Sequence, residues 1–201
     1  MKFEDPEGAT LLDPDEMYGL KFDHIRTRAE LDELEHTNIT EGLRWLARRC
    51  GGNSLNEGFI RTLHKRLFGK VWDWAGTYRL HEKNIGIVPH QISMQLHMLL
   101  ENAHLWAQNS IFEPLEAGAR FHHRLVQIHP FPNGNGRHAR IAADIYLADY
   151  FEHPPIAWAS GLDLQGDNAR REAYIAALRA ADAGDFEPLL KFVAGNGGAK
   201  M

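Results

Sequence analysis

The sequence predicts a mainly α-helical fold with one short β-hairpin. Apolar residues recur at helical spacing along most of the chain, and caps, glycines and prolines punctuate those stretches. Only residues 76–88 place aliphatic and aromatic residues around a glycine in a way that suits paired strands.

Taken in order, residues 1–26 mix Asp, Glu, Pro and Gly and read as an irregular arm. Thr27-Arg-Ala-Glu30 is a capping-box pattern. It opens a helix with Ile39, Leu43 and Leu46 as its expected apolar stripe, stopped at Gly51-Gly52. Ser54-Leu-Asn-Glu57 is a second capping box, followed by Ile60, Leu63 and Leu67. The hairpin comes next, with Tyr78, Ile85, Ile87 and Val88 around Gly86. Pro89 opens a helix with Ile92, Leu96, Leu99, Ala103 and Trp106 on one face, and Pro114 opens another that Pro130 stops. Residues 131–136 read as loop, 137–150 as helix, and two further helices are expected near 168–182 and 186–194.

The length of 201 residues suits one domain with a small extension, and 44% hydrophobic with 24% charged residues is an ordinary globular balance. A net charge of −5 argues against a general polyanion coat or a membrane-surface protein, so neither membrane nor direct nucleic-acid binding is expected. A single cysteine, Cys50, excludes an internal disulfide, and the acidic start lacks an apolar secretory core, so a cytoplasmic home is expected. No apolar run approaches the roughly 18 residues of a membrane span. The 12 histidines invite a metal reading, but they show no ligand spacing such as His-Glu-x-x-His.

The chemistry concentrates in Ile128-His-Pro-Phe-Pro-Asn-Gly-Asn-Gly-Arg-His-Ala-Arg140. Pro130 ends one helix at His129, glycines allow a tight turn, and a new helix starts at once. Such a turn exposes unpaired N–H groups to an anion. Arg137 and Arg140 lie three apart on the first turn, where cations oppose the helix dipole, a cost that makes sense if an anion sits among them. Phosphate is the natural candidate, with His129 one loop away to move a proton.

This run resembles the signature of Fic-domain proteins, His-Pro-Phe-x-(Asp/Glu)-Gly-Asn-Gly-Arg-x-x-Arg. Trp74-Ala-Gly-Thr-Tyr-Arg79 with Asn84-Ile-Gly-Ile87 is similar to the family's flap region, and Tyr174 to Phe192 to its C-terminal helices. The N-terminal pattern is similar to the subgroup called mobile mystery protein B. The resemblance implies a Fic-like helical bundle with a hairpin flap over a core of residues 51–194, a tail from 195 to 201, and transfer of AMP from ATP to a Ser, Thr or Tyr hydroxyl of a target protein. By similarity, His129 is the general base and Phe131 packs the loop. Gly134, Asn135 and Gly136 form the anion hole, and Arg137 and Arg140 hold the phosphates. Asn84, Ile85, Gly86 and Ile87 pair with a target segment, and Tyr174 and Asp182 fall on the adenine side.

One position departs from the pattern. Asn133 stands where the family has a carboxylate for Mg²⁺, and an amide lacks that charge, so the metal site is expected to be weak. Upstream, Thr37-Asn-Ile-Thr-Glu41-Gly42 matches the family's inhibitory pattern, (Ser/Thr)-x-x-x-Glu-(Gly/Asn). By resemblance Glu41 would pair with Arg140 and misorient ATP, making residues 27–50 an inhibitory segment in the same chain. Two alternatives stand beside transfer: removal of AMP with Glu41 aligning a water, and a nucleotide-binding regulatory module with little turnover because of Asn133. The subgroup resemblance suggests a helix-turn-helix partner, and a homodimer is left open.

Overall fold

The computed structural model describes residues 14–49, 51–158, 164 and 169–195; residues 1–13 of the expected arm, Cys50 and the tail beyond 195 lie outside them. Among the described residues the helices are α1 (Pro14–Met17), α2 (Arg28–Ala47), α3 (Glu57–Phe68), α4 (Ile92–Gln108, entered through a 3₁₀ turn at Pro89–Gln91), α5 (Pro114–Ile128), α6 (Asn135–Phe151), α7 (Ala169–Asp182) and α8 (Glu187–Val193).

Helix α5 is the centre of the bundle, packed on α4, α6 and α8. Its buried face combines Phe121, Leu125 and Ile128 with the small residues Ala117, Gly118 and Ala119. A Cβ at Gly118 would lie 2.8 Å from Leu147, so the glycine sets how closely α6 approaches. Helix α3 contributes Ile60, Leu63 and Leu67, each no more than 1% exposed, as its apolar spacing predicts.

The caps explain where the helices begin. Thr27 accepts from the Glu30 backbone N–H while the Glu30 side chain accepts from that of Thr27, so the first capping box forms. The second does not. Asn56 caps α3 by accepting from the Phe59 N–H at 2.8 Å, and Ser54 is buried upstream of the helix. An Asx turn at Asn53, closed by the Leu55 N–H at 2.9 Å, shifts the start to the next residue able to cap.

Two further expectations are corrected. No strand is present among the described residues, and the one β-bridge joins Leu20 to Trp72, so residues 76–88 form an irregular loop rather than a hairpin. The carbonyls of His81 and Ile87 are taken up by the Arg79 guanidinium instead of a cross-strand ladder. Helix α2 buries the apolar stripe only in part: Ile39 and Leu46 pack half-buried against the core, Leu43 is 42% exposed, and the fully buried residues are Leu31, Glu35, Asn38 and Gly42. That face is chosen by polar partners. Asn38 donates to the Arg66 carbonyl at 3.1 Å and accepts from the Lys70 N–H at 2.8 Å, capping the carboxyl end of α3.

Gly42 is where α2 and α3 touch, since a Cβ there would lie 2.9 Å from both the Arg66 carbonyl oxygen and Leu67. Replacing it with Val forces the helices apart. Gly42→Val is expected to lower unfolding free energy by roughly 1–3 kcal/mol in urea titrations, and an unchanged midpoint would show that this contact does not hold α2.

Candidate active site

Helix α5 ends at Ile128 and His129 follows with φ 53° and ψ 61°, a left-handed conformation unusual for a residue with a side chain. Arg79 holds that turn. Its backbone N–H donates to the Pro130 carbonyl at 3.0 Å, and its Nε donates to the His129 carbonyl at 2.7 Å. The guanidinium nitrogens reach His81 and Ile87, so one buried side chain ties the histidine turn to the 80s loop. Gly86 supplies the close approach, because a Cβ there would lie 2.7 Å from both Arg79 Nη2 and His129 Cβ. Helix α1 braces the same loop through the buried Glu16–Lys83 pair, and the Glu16 carbonyl accepts from Trp74 Nε1, just before the loop, at 2.9 Å.

The loop after His129 closes on itself. Phe131 is fully buried and stacks on His64 with ring centroids 3.8 Å apart. His64 Nδ1 accepts from the Gly76 N–H at 3.1 Å, so Nε2 carries the proton and donates to the Asn133 carbonyl at 3.0 Å. The Asn135 amide is engaged twice with Phe131, accepting from its N–H at 2.9 Å and donating to its carbonyl at 2.7 Å. Gly134 precedes α6 with φ 76°, and Phe68 lies 2.7 Å from where its Cβ would be. No side chain caps α6. The first intrahelical bond on Gly134 comes from the His138 N–H at 2.9 Å, so the N–H groups of Asn135, Gly136 and Arg137 lack acceptors within the helix.

These elements line a cleft of about 690 Å³. His129, Asn133, Gly134, Asn135, Gly136, Arg137 and Arg140 border it, as do Asn84, Ile85, Gly86 and Ile87 of the loop and Tyr174 and Asp182 of α7. Sequence reading and structure part on the use of several of these groups. Asn135 offers the cleft its backbone N–H, because its side chain is bound to Phe131. The two arginines diverge: Arg140 lies over the Tyr174 ring, 5.7 Å from its centroid, while Arg137 turns to Glu35, Nη2 to Oε2 2.6 Å, and over Phe68 at 4.9 Å. An i, i+3 pair is splayed by about 60° around a helix axis, and each side chain finds a partner on its own flank.

Glu41 is not brought to Arg140. Its carboxylate pairs with Lys70, half-exposed, and it does not border the cleft; Thr37 is exposed, and Gly42 is spent on the α2–α3 contact. The α2 carboxylate that meets a signature arginine is Glu35, six residues earlier. Arg79 and Glu35 are the site residues that sequence reading missed. The signal for Glu35 was a helix whose period-correct face is polar, Leu31-Glu35-Asn38-Gly42.

Burial pushes the His129 imidazole down to about 4, with the Arg79 and Lys83 charges adding to the effect against the Val126 carbonyl. Nδ1 lies 3.2 Å from that carbonyl, which only accepts, so Nδ1 carries the proton and Nε2 the lone pair. Burial also lowers His64, His122, His123 and His138, the last to about 4. Among the described residues no cluster of His, Cys, Asp or Glu is arranged to hold a metal ion.

A left-handed histidine with a neutral imidazole, facing helix N–H groups that lack intrahelical acceptors and arginines across a cleft, defines a site able to hold a phosphorylated ligand against a proton acceptor. Residues 54–147 match the model of the Fic/DOC family. It is 28% identical over 141 residues to "Protein adenylyltransferase Fic" of Aedes aegypti, and 28% identical over 143 residues to "Protein adenylyltransferase fic-1" of Caenorhabditis elegans. Each match covers 67% of this chain and 26% of the relative, so the chain spans about a quarter of the length of these curated relatives. Among solved structures, Fic-1 (residues 134–508) of C. elegans superposes with a TM-score of 0.65 at 23% identity, covering 88% of this chain and 50% of that one. BepC of Bartonella tribocorum, solved with bound AMPPNP, does so with a TM-score of 0.64 at 19% identity, covering 94% and 93%.

The shifted histidines set a pH dependence for stability. Each titrates near 6.5 in the unfolded chain and lower in the fold, so its contribution is complete above pH 6.5 and is lost as pH falls toward 4. Asp144, raised to about 6 by burial, works in the opposite direction. With five histidines against one carboxyl, unfolding free energy should fall by about 1 kcal/mol or more per pH unit below pH 6.5. Denaturant titrations at pH 7.5, 6 and 5 measure it, and a flat profile would contradict the shifts.

Proposed function

We propose that the chain is a Fic-type nucleotidyltransferase that moves AMP from ATP to a hydroxyl of a target protein. The observation that carries this reading is the juxtaposition in one cleft of His129, neutral with its lone pair on Nε2, and the acceptor-free N–H groups of Asn135, Gly136 and Arg137. The adenylyltransferase names of its relatives and the nucleotide bound to BepC support it. The target hydroxyl oxygen attacks the α-phosphorus as its proton passes to His129 Nε2; the bond from that phosphorus to the bridging oxygen breaks, and pyrophosphate leaves. The N-terminal N–H groups of α6 stabilise charge on the phosphate oxygens, Arg137 and Arg140 flank the phosphate chain, and the 84–87 loop borders the place where the target segment lies. Tyr174 and Asp182 border the nucleoside end. The likeness to mobile mystery protein B and a helix-turn-helix partner belong to the same reading.

The residues present do not make a resident Mg²⁺ site. Asn133 carries no charge, and its Oδ1 accepts from the Gly134 N–H at 2.6 Å. No catalytic step is therefore assigned to a protein-held metal. Glu41, turned to Lys70, is assigned neither an inhibitory nor an AMP-removing role.

Incubation with [α-³²P]ATP and a cell lysate is expected to label protein, with His129→Ala reducing labelling at least about 100-fold. Absence of labelling by the wild type with any nucleoside triphosphate would overturn the reading. Asn133→Asp is expected to make the labelling rate respond to lower Mg²⁺ concentrations, measured in a Mg²⁺ titration from an EDTA-treated start.

A further inference from the structure

We propose that Glu35 is the positioning residue of the cleft: its carboxylate aims Arg137 at the phosphates. Glu35 lies on α2, outside the signature, and is 2% exposed. Its two oxygens have different partners. Oε2 accepts from Arg137 Nη2 at 2.6 Å, and Oε1 accepts from Trp72 Nε1 at 2.6 Å. The indole is 1% exposed and stacked on Trp74, so it holds the carboxylate in one orientation. Arg137 is thereby engaged through Nη2 and laid over Phe68, which in turn touches Gly134 at the start of α6.

A guanidinium is a planar fork, and fixing one nitrogen fixes the direction of the other donors. Arg137 borders the cleft, so a side chain already ordered by Glu35 meets a phosphate without a further loss of rotamer freedom. Glu35 also supplies the negative charge that a cation on the first turn of a helix calls for, which lets Arg137 stay in place when no phosphate is bound. Trp72 and Arg137 both donate, so the group between them must accept twice. A carboxylate does, whereas a glutamine accepts with one atom and donates with the other. Glu35→Gln therefore turns an N–H against either the indole or the guanidinium.

The proposal rests on the nucleotide reading of the cleft, and its test separates the two. ATP affinity is measured by calorimetry in the full chain for wild type, Glu35→Gln, Trp72→Phe and the double variant, at a temperature where circular dichroism shows each folded. Glu35→Gln is expected to weaken ATP about tenfold, and Trp72→Phe alone by less than about threefold. In the double variant the amide oxygen is released to accept from Arg137, so affinity should return to within about threefold of Trp72→Phe. Loss without that rescue, unchanged affinity, or tighter binding in Glu35→Gln would each overturn the proposal while leaving the nucleotide reading in place. A wild type that does not bind ATP would overturn both. If Glu35→Gln alone does not fold, the double variant against Trp72→Phe decides, together with Glu35→Asp, which keeps two acceptors and should bind within about threefold of wild type.

Discussion

The site depends on one buried guanidinium. Arg79 holds the left-handed turn at His129 by hydrogen bonds to carbonyls that a chain reversing so sharply would otherwise leave unmet. It also reaches the carbonyls of His81 and Ile87, so the loop opposite the histidine is shaped by the same group. Burial is what pushes the His129 imidazole down to about 4, and the Arg79 charge acts in the same direction. Lysine, with a compact head and no planar fork, could not span carbonyls on two segments in this way.

Around that turn, the loop is held by polar groups that engage one another within the protein. His64 joins Gly76 to Asn133, Asn135 closes on Phe131, and the Asn133 amide accepts from Gly134. The exception is the first turn of α6, whose N–H groups are left for the cleft. Preorganisation here means that donors to be used on a ligand are the ones the fold does not use. The buried histidines belong to this framework: His64, His129 and His138 hydrogen-bond backbone carbonyls, His122 and His123 meet Tyr174 and Asp182, and His64 stacks on Phe131.

Electrostatics in the cleft is arranged pair by pair. A chain of net charge −5 builds a site bordered by arginines, and each signature arginine has a distinct neighbour, Glu35 for Arg137 and Tyr174 for Arg140. Helix α2 accordingly turns a polar face inward. Its role in the fold is read from Glu35, Asn38 and Gly42, which meet donors, an acceptor and a close backbone, and not from Leu43, which faces water.

Much of this protein was legible locally. The capping box at Thr27, the proline-opened helices, the stop at Pro130 and the glycine turn into α6 are short-range events whose physics lies within a few residues, and the signature from His129 to Arg140 is one continuous loop and helix start. The hairpin at 76–88 and the start of α3 were misread because a long-range donor, Arg79, and a neighbouring Asx turn outcompeted the local pattern. The pairing of α2 with the signature was misread for the same kind of reason. Glu41 and Glu35 are six residues apart and alike in type, and only the packing of Gly42 on α3 decides which one faces Arg137. By itself the sequence determined the helical plan and the glycine turn that sets His129 beside the start of α6, both fixed by contiguous residues. The tertiary structure decided which carboxylate meets which arginine and what holds the histidine turn, because those contacts span roughly 50 to 100 residues and follow from how helices pack.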